Sequence, residues 1–561
     1  RGVKVQEYAS EVGLGWQLNA GGSISRVVRG FPDEQSNGYL GTGQWGQIIY
    51  TNSASPNNYT TFFQTISTTN AGILSGLSQT NDEPHADGEP DLFYVKTPFF
   101  SFQFVFDQNG LPVFSNNEGY KVIPTNFINT SAYTNSSFEV IDPSGNQFYF
   151  GNTPNSTEQA TDSIFGQVPP PFITSWYLTK IISFNSQDII TFNYIAAPTN
   201  DITYNYSWTE TQDYRYSPAQ TITYLNTGKT TFSTPKFISS IVSNLGELDF
   251  NYTFSRLDDP NMPYLANILM KAYNPQTQGN TTSLQTYNFN YTYFNSTSSN
   301  PNLLRLQLLG ITLTGNTSST STPMTIASFG YNTSASLPDR TLPVFDYWGF
   351  TTTMPNPIPS DIFNIIRTPN LVMAQACILN SINSLLGANY QISYALNTLN
   401  PGSGSTNVGG LCVTGISQTL STGENIYKTY QYADANGNSY GQIYSNKYNS
   451  LQVTTTTGTP FIVYFSGSPY TISDVNGVFV GYSTVKEINQ YGGYTIYNFK
   501  NFSDFSDPIQ NSGNALNFLY TPNTSLSYKR GLLKSSGVYN ANGNIISQTQ
   551  NTYVAQTNPI T

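Results

Sequence analysis

The chain has 561 residues, 10% charged and 14% aromatic, with a formal net charge of −10. That charged share is well below the roughly 25% of ordinary soluble domains, while the Tyr and Phe load supplies enough burial to exclude intrinsic disorder. The 22 Lys and Arg are dispersed, which excludes a basic nucleic-acid groove, and no apolar run reaches the roughly 18 residues that span a bilayer.

Amides and hydroxyls must therefore keep the surface wet, and aromatic and β-branched residues favour strands. These properties point to an all-β extracellular protein with few short helices. Length alone would allow roughly three or four domains. No composition shift marks a boundary, so residues 1–561 read as one continuous β-rich region, with soft subdivisions near 196–234 and 397–407. The chain begins at Arg1 without Met or an apolar leader, and a longer exported precursor is expected.

At the N-terminus, Gly13-Leu14-Gly15-Trp16-Gln17-Leu18-Asn19-Ala20-Gly21-Gly22 leads into Ser23-Ile24-Ser25-Arg26. Gly21-Gly22 permits a tight turn with positive φ. From Ser23 to Arg29 small polar and branched apolar residues alternate, as in a half-buried strand. Gly30-Phe31-Pro32-Asp33 supplies the next turn. Residues 53–80, 196–234 and 397–407 are low in charge and read as long surface loops or insertions.

His85 is the sole histidine and sits among Asp82, Glu83, Asp87, Glu89 and Asp91. A single histidine removes most acid–base and nucleophilic triads. The carboxylates fit either a calcium ion held through oxygen ligands or a solvated acidic turn that caps backbone amides. Their spacing lacks the alternation of an EF-hand loop. No catalytic, cofactor-binding or metal-ligating residue is assigned.

A tetrapeptide then recurs: Asp107-Gln108-Asn109-Gly110, Asp142-Pro143-Ser144-Gly145, Asp434-Ala435-Asn436-Gly437, Asp474-Val475-Asn476-Gly477 and Asn540-Ala541-Asn542-Gly543. Asp or Asn first and Gly fourth is the pattern of a type I turn whose glycine turns left-handed in a bulged hairpin. The spacing is irregular, so no fixed-period solenoid is expected. Segments such as 189–194, 248–254, 287–293 and 461–465 alternate aromatic with amide or hydroxyl residues, as antiparallel strands wet on one face do.

Ser360 to Arg367 has a capping serine and predicts a short helix before Pro369. Leu371 to Gly387 carries Ile378, Ile382 and Leu385 at helical spacing, but a pair of strands is the favoured reading. Cys377 and Cys412, the only cysteines, fit either a disulfide in an exported protein or two buried thiols; they are too few for a zinc site. The acidic residues offer no identifiable pair for glycoside hydrolysis, and the aromatics that would stack sugars are also what a sheet core needs. Asn-x-Ser/Thr triplets at Asn58, Asn129, Asn251 and Asn316, and Asp162-Ser163-Ile164, are matches that composition alone produces.

The N-terminal stretch from Gly13 to Glu34 resembles the opening of the large YD-repeat (RHS-type) exported proteins of Bacteroidota, a pattern related to the N-terminal regions of SpvB and Tc-toxin B components. Further similar segments follow in order: Asp87 to Tyr94, Phe138 to Gly151, Ser175 to Tyr194, Leu337-Pro338-Asp339-Arg340 with Asp346-Tyr347-Trp348-Gly349-Phe350, and Lys529 to Leu533 with Tyr539 and Gly543. Two places depart: Leu385-Leu386-Gly387-Ala388 replaces a Pro-Thr-Gly-Gly turn, and Cys412 follows Gly409-Gly410-Leu411 where an arginine is usual. The resemblance implies hairpins wound into a long curved sheet that closes as a shell or lines one wall of a larger protein. Its implied partners are the rest of its own longer chain, an encapsulated C-terminal domain, the type IX secretion machinery or copies of itself. The resulting expectation is a non-catalytic shell or scaffold segment without cofactor, at the cell surface or secreted. A self-assembling adhesive protein and a carbohydrate-binding module are the other two readings.

Overall fold

The computed structural model describes residues 2–28, 32–35, 38–40, 90–107, 109–114, 119–127, 135–163, 171–213, 220–274, 279–315, 322–342, 344–353, 368–400, 405–443, 450–454, 460–465, 479–506 and 529–553. Nearly all of it is antiparallel β-structure. Strand Phe172–Ile182 is the junction of two sheets. Its first half pairs with Ser23–Val27 and Thr157–Ser163, its second half with Gln147–Phe150 and Ile189–Ala196.

From the second half, the main sheet runs ladder by ladder through Lys236–Val242, Gly246–Thr253, Tyr264–Asn274, Gly279–Phe294 and Arg305–Gly315. It continues through Met324–Tyr331, Leu379–Ser384, Asn389–Leu399, Thr406–Thr419 and Asn425–Gln431. It ends with Thr484–Asn489, Tyr494–Phe499, Leu533–Tyr539 and Ile545–Gln550. The second sheet extends one way to Leu92–Lys96, Ser101–Phe106 and Pro112–Phe114, and the other way to Gln220–Ser233, Asp201–Asp213, Pro460–Phe465 and Ser450–Thr454. Traced this way, the ladders between described strands form open arms joined at Phe172–Ile182.

Because every main-sheet ladder is antiparallel, strand direction alternates and the connections sort to two rims. The short turns at 142–146, 183–188, 243–246, 384–388, 420–424, 489–493 and 540–544 all fall on one rim. Successive turns on that rim are two strands, or multiples of two, apart, each step being about 10 Å. The connections at 254–263, 295–304 and 332–378 fall on the other.

The expected tetrapeptide turns form with one shared geometry. The side-chain Oδ1 of Asp107, Asp142, Asp434 and Asn540 accepts the N–H groups two and four residues on, at 2.8–3.0 Å. The fourth-position glycines have φ of 73°, 87°, 80° and 81°, where an L side chain is strained. Asp346-Tyr347-Trp348-Gly349-Phe350 is a further copy: Asp346 Oδ1 accepts from Trp348 and Phe350 at 2.9 and 3.1 Å, and Gly349 has φ 92°.

Three expectations are corrected. Of the stretch 196–234, residues 201–213 and 220–233 are strand and not surface loop: Asp201 to Asp213 pairs with Gln220 to Phe232 at every position, and the sequence alternation of Ile202, Tyr204, Tyr206 and Trp208 gives the period of two that a strand needs. The 397–407 stretch is narrower as a connection than expected: 397–399 end one strand and 406–407 begin the next, and 401–404 lie outside the described residues. Leu371 to Gly387 is not two strands but one helical turn, Leu371–Ala374 capped by Asn370, followed by strand Leu379–Ser384. The expected helix at 360–367, the turn at 474–477 and the loop at 53–80 lie outside the described residues.

The densest core surrounds the junction strand. Trp176 is fully buried and its Nε1 donates to the Ser136 carbonyl at 3.0 Å. Phe138 meets it edge-on at 4.9 Å between centroids, and Phe93 and Phe127 each lie 6.0 Å away. Each such pair contributes beyond its buried area. Trp176→Ala is expected to cost about 3–5 kcal/mol in urea unfolding. Ile546→Ser, at a side chain 66% exposed, should stay within about 0.5 kcal/mol; equal losses would refute the placement of the core.

Candidate functional site

Residues 2–22 form an irregular strap over the long-connection rim of the main sheet. The Val5 N–H donates to the Gly349 carbonyl at 3.0 Å, Leu14 to Leu306 at 2.8 Å, and Leu265 donates back to Glu11 at 2.9 Å. A strap without a ladder leaves carbonyls facing the interior, and these need donors. Buried arginines supply them. Arg305 Nη2 donates to the Val5 carbonyl at 2.8 Å, and Arg256 Nη2 and Nη1 donate to those of Ala9 and Ser10 at 3.1 and 3.2 Å.

The same Arg256 grips Asp258 with two hydrogen bonds of 3.0 and 2.9 Å, and Asp258 Oδ2 also accepts the Leu306 N–H at 3.0 Å. Arg340 lies 4.5 Å over the Tyr8 ring and donates to the carbonyls of Pro301 and Leu304. All three guanidiniums are at most 2% exposed as residues. Burial, helped by the charge of Arg340, pulls Arg305 down to about 9. At the turn that ends the strap, Gly21 has φ 79° and a Cβ there would stand 3.2 Å from the Tyr194 hydroxyl.

Beside the strap, Tyr177 and Tyr194 stack at 5.1 Å. The hydroxyls of Tyr194 and Tyr291 donate to the Leu178 and Leu265 carbonyls at 2.7 and 2.9 Å. Glu158 accepts from the Tyr177 hydroxyl at 3.3 Å. Burial raises the Glu11 and Glu158 carboxyls above the usual carboxylate range; Arg256 opposes this at Glu11, and Tyr177 and Thr174 oppose it at Glu158. A raised carboxyl is a resource for general-acid chemistry. Here the Tyr194 and Tyr291 hydroxyls donate to backbone carbonyls, the Tyr177 hydroxyl to Glu158, and Arg256 to carbonyls and Asp258, which is the arrangement of a structural joint.

Of the acidic segment at 82–91, only Asp91 lies within the described residues. It is fully buried, 3.5 Å from the Arg26 guanidinium, and exchanges side-chain-to-amide hydrogen bonds with Asp33 at 3.1 and 2.9 Å. Arg26 is itself stacked on Phe172 and Trp176, so Asp91 serves the junction core. His85 and the other four carboxylates lie outside the described residues. Cys377 and Cys412 are free thiols, and burial pushes Cys377 up to about 11. The arginine cluster escaped sequence reasoning, although Arg256 in Ser255-Arg256-Leu257-Asp258-Asp259 and Arg340 after Asp339 carry a local trace of it.

No family model matches this sequence, and no curated protein is similar to it. Among solved structures, the chain is similar to the crystal structure of TcdB2-TccC3-TEV, with a TM-score of 0.39 and 8% identity over 96% of this chain and 38% of that one. It is also similar to the N-terminal domain of the effector protein SpvB from Salmonella typhimurium strain LT2, with a TM-score of 0.26 and 11% identity over 56% of this chain and 92% of that one. The chain thus spans 38% of the length of the first of these proteins.

Arg256→Met removes one partner of a buried ion pair and the donors to Ala9 and Ser10. The expected cost is about 3–5 kcal/mol in urea unfolding. Adding Asp258→Leu should recover part of it, since the stranded carboxylate goes too. A loss below about 1 kcal/mol, as for a surface pair, would contradict the clamp.

Proposed function

We propose that this chain is a non-catalytic wall segment of a larger exported protein of the YD/RHS type, built to enclose or support other parts of that protein. The observation that carries this reading is the main sheet, which grows hairpin after hairpin with the seven short turns named above on one rim. Such a sheet extends without limit of design and presents a broad face, as a wall does. The buried arginines and carboxyls support the reading because their hydrogen bonds go to backbone and to one another.

A second reading, assembly from copies of itself, has one observation in its favour. Strand Ile545–Gln550 is exposed along its length, contains no charge or proline, and pairs among the described residues with Leu533–Tyr539 alone. Edges of this kind template further strands. Electron microscopy of the full-length native protein separates the two. The wall reading expects discrete particles in which this region lines a cavity; filaments or sheets with a regular repeat would overturn it in favour of assembly.

A further inference from the structure

Five neighbouring strands of the main sheet, Met324–Tyr331, Leu379–Ser384, Asn389–Leu399, Thr406–Thr419 and Asn425–Gln431, carry a row of uncharged polar side chains on one face. Ser328 stands opposite Asn383, Asn383 opposite Asn389, Gln391 opposite Ser417, and Ser417 opposite Tyr427. Residues opposite one another, or two apart on a strand, share a face. The other face of these strands is apolar, with Phe329 opposite Ile382, Ile382 opposite Tyr390 and Ile392 opposite Ile416. On the polar face the side chains bond across the strands. Gln391 Nε2 donates to Asn389 Oδ1 at 2.8 Å, Asn389 Nδ2 to Asn383 Oδ1, and Asn383 Nδ2 to Ser328 Oγ at 3.2 Å. The relay runs in one direction, so an acceptor, Gln391 Oε1, stands at one end and a donor, the Ser328 hydroxyl, at the other. Two strands beyond Gln391, Tyr427 is 44% exposed, and its backbone N–H donates to Gln490 Oε1 at 3.2 Å. That bond ties in the turn at 489–493, whose Tyr491 is 77% exposed.

We propose that this face binds a neutral polysaccharide, with the amide relay bonding sugar hydroxyls and Tyr427 and Tyr491 packing against sugar rings. Sugar hydroxyls both donate and accept, and an amide meets both demands. The cross-strand bonds already orient these amides, which lowers the ordering cost of binding. From Ser328 to Tyr427 the row crosses four strand spacings, about 19 Å, so it suits a chain of sugars better than a single one. Its residues are uncharged, so nothing in it neutralises a phosphate or sulfate. A protein partner would need an apolar centre to the interface, which a row of Ser, Asn and Gln with one Tyr does not supply. Tyrosine, with an apolar ring and a polar tip, suits a ligand that has both kinds of surface.

Affinity electrophoresis of the full chain in gels containing dextran, galactomannan, xyloglucan or hydroxyethyl cellulose tests this, with dextran sulfate as the charged comparison. Retardation is expected with at least one neutral polymer and should not depend on salt, since no ion pair is involved. Tyr427→Ala and Gln391→Ala should each weaken it by about three- to tenfold, the worth of one ring contact or one hydrogen bond. Tyr491→Ala carries the same expectation should Tyr427→Ala fail to fold. Asn193→Ala, at an exposed amide on the distant strand Ile189–Ala196, should leave the retardation unchanged. Free migration in all four neutral polymers, retardation by dextran sulfate alone, or an equal loss in Asn193→Ala overturns the proposal.

Discussion

Backbone carbonyls that no ladder can satisfy are the constraint on which this structure turns. The strap at residues 2–22 crosses the rim of a sheet without becoming a strand, and its carbonyls at Val5, Ala9 and Ser10 face inward. Arg305 and Arg256 meet them with charge-assisted hydrogen bonds, which are stronger than neutral ones. Desolvating guanidinium groups is costly, and Asp258 offsets part of that cost for Arg256. A planar fork with several donors suits the task because one side chain serves two carbonyls and a carboxylate at once.

The two rims of the main sheet are consequently built by different physics. On the short-turn rim the hairpins close within a few residues of sequence, and those at 142–146, 489–493 and 540–544 do so with an Asp or Asn side chain and a left-handed glycine. On the opposite rim, the connections are held by contacts between residues far apart, such as Arg256 with Ser10 and Arg305 with Val5. The junction strand Phe172–Ile182 lies between both sheets, and its burial on both faces around Trp176 fixes how the arms start.

This division explains what could be read from the sequence. The Asp-x-x-Gly and Asn-x-x-Gly turns were legible because their chemistry is local, and so were the alternating strands. The copy at Asp346 to Phe350 has the same signature, but its burial against the strap disguises it as a motif of resemblance. Residues 201–233 were misread because low charge was taken for looseness, although Ile202, Tyr204, Tyr206 and Trp208 alternate as a strand does. The clamp was illegible for a plainer reason. Nothing in Ser255-Arg256-Leu257-Asp258 says that its guanidinium will meet carbonyls some 250 residues away.

If the strap is part of the sheet's cooperative unit, its hydrogen-bonded amides should open only when the sheet does. Native-state hydrogen exchange at Val5 and Leu14, whose N–H groups are bound to Gly349 and Leu306, measures this most directly. The account predicts opening free energies equal to those of Trp176 and Leu178 in the junction strand. Exchange at loop-like rates at Val5 and Leu14, with the junction strand still protected, would contradict it.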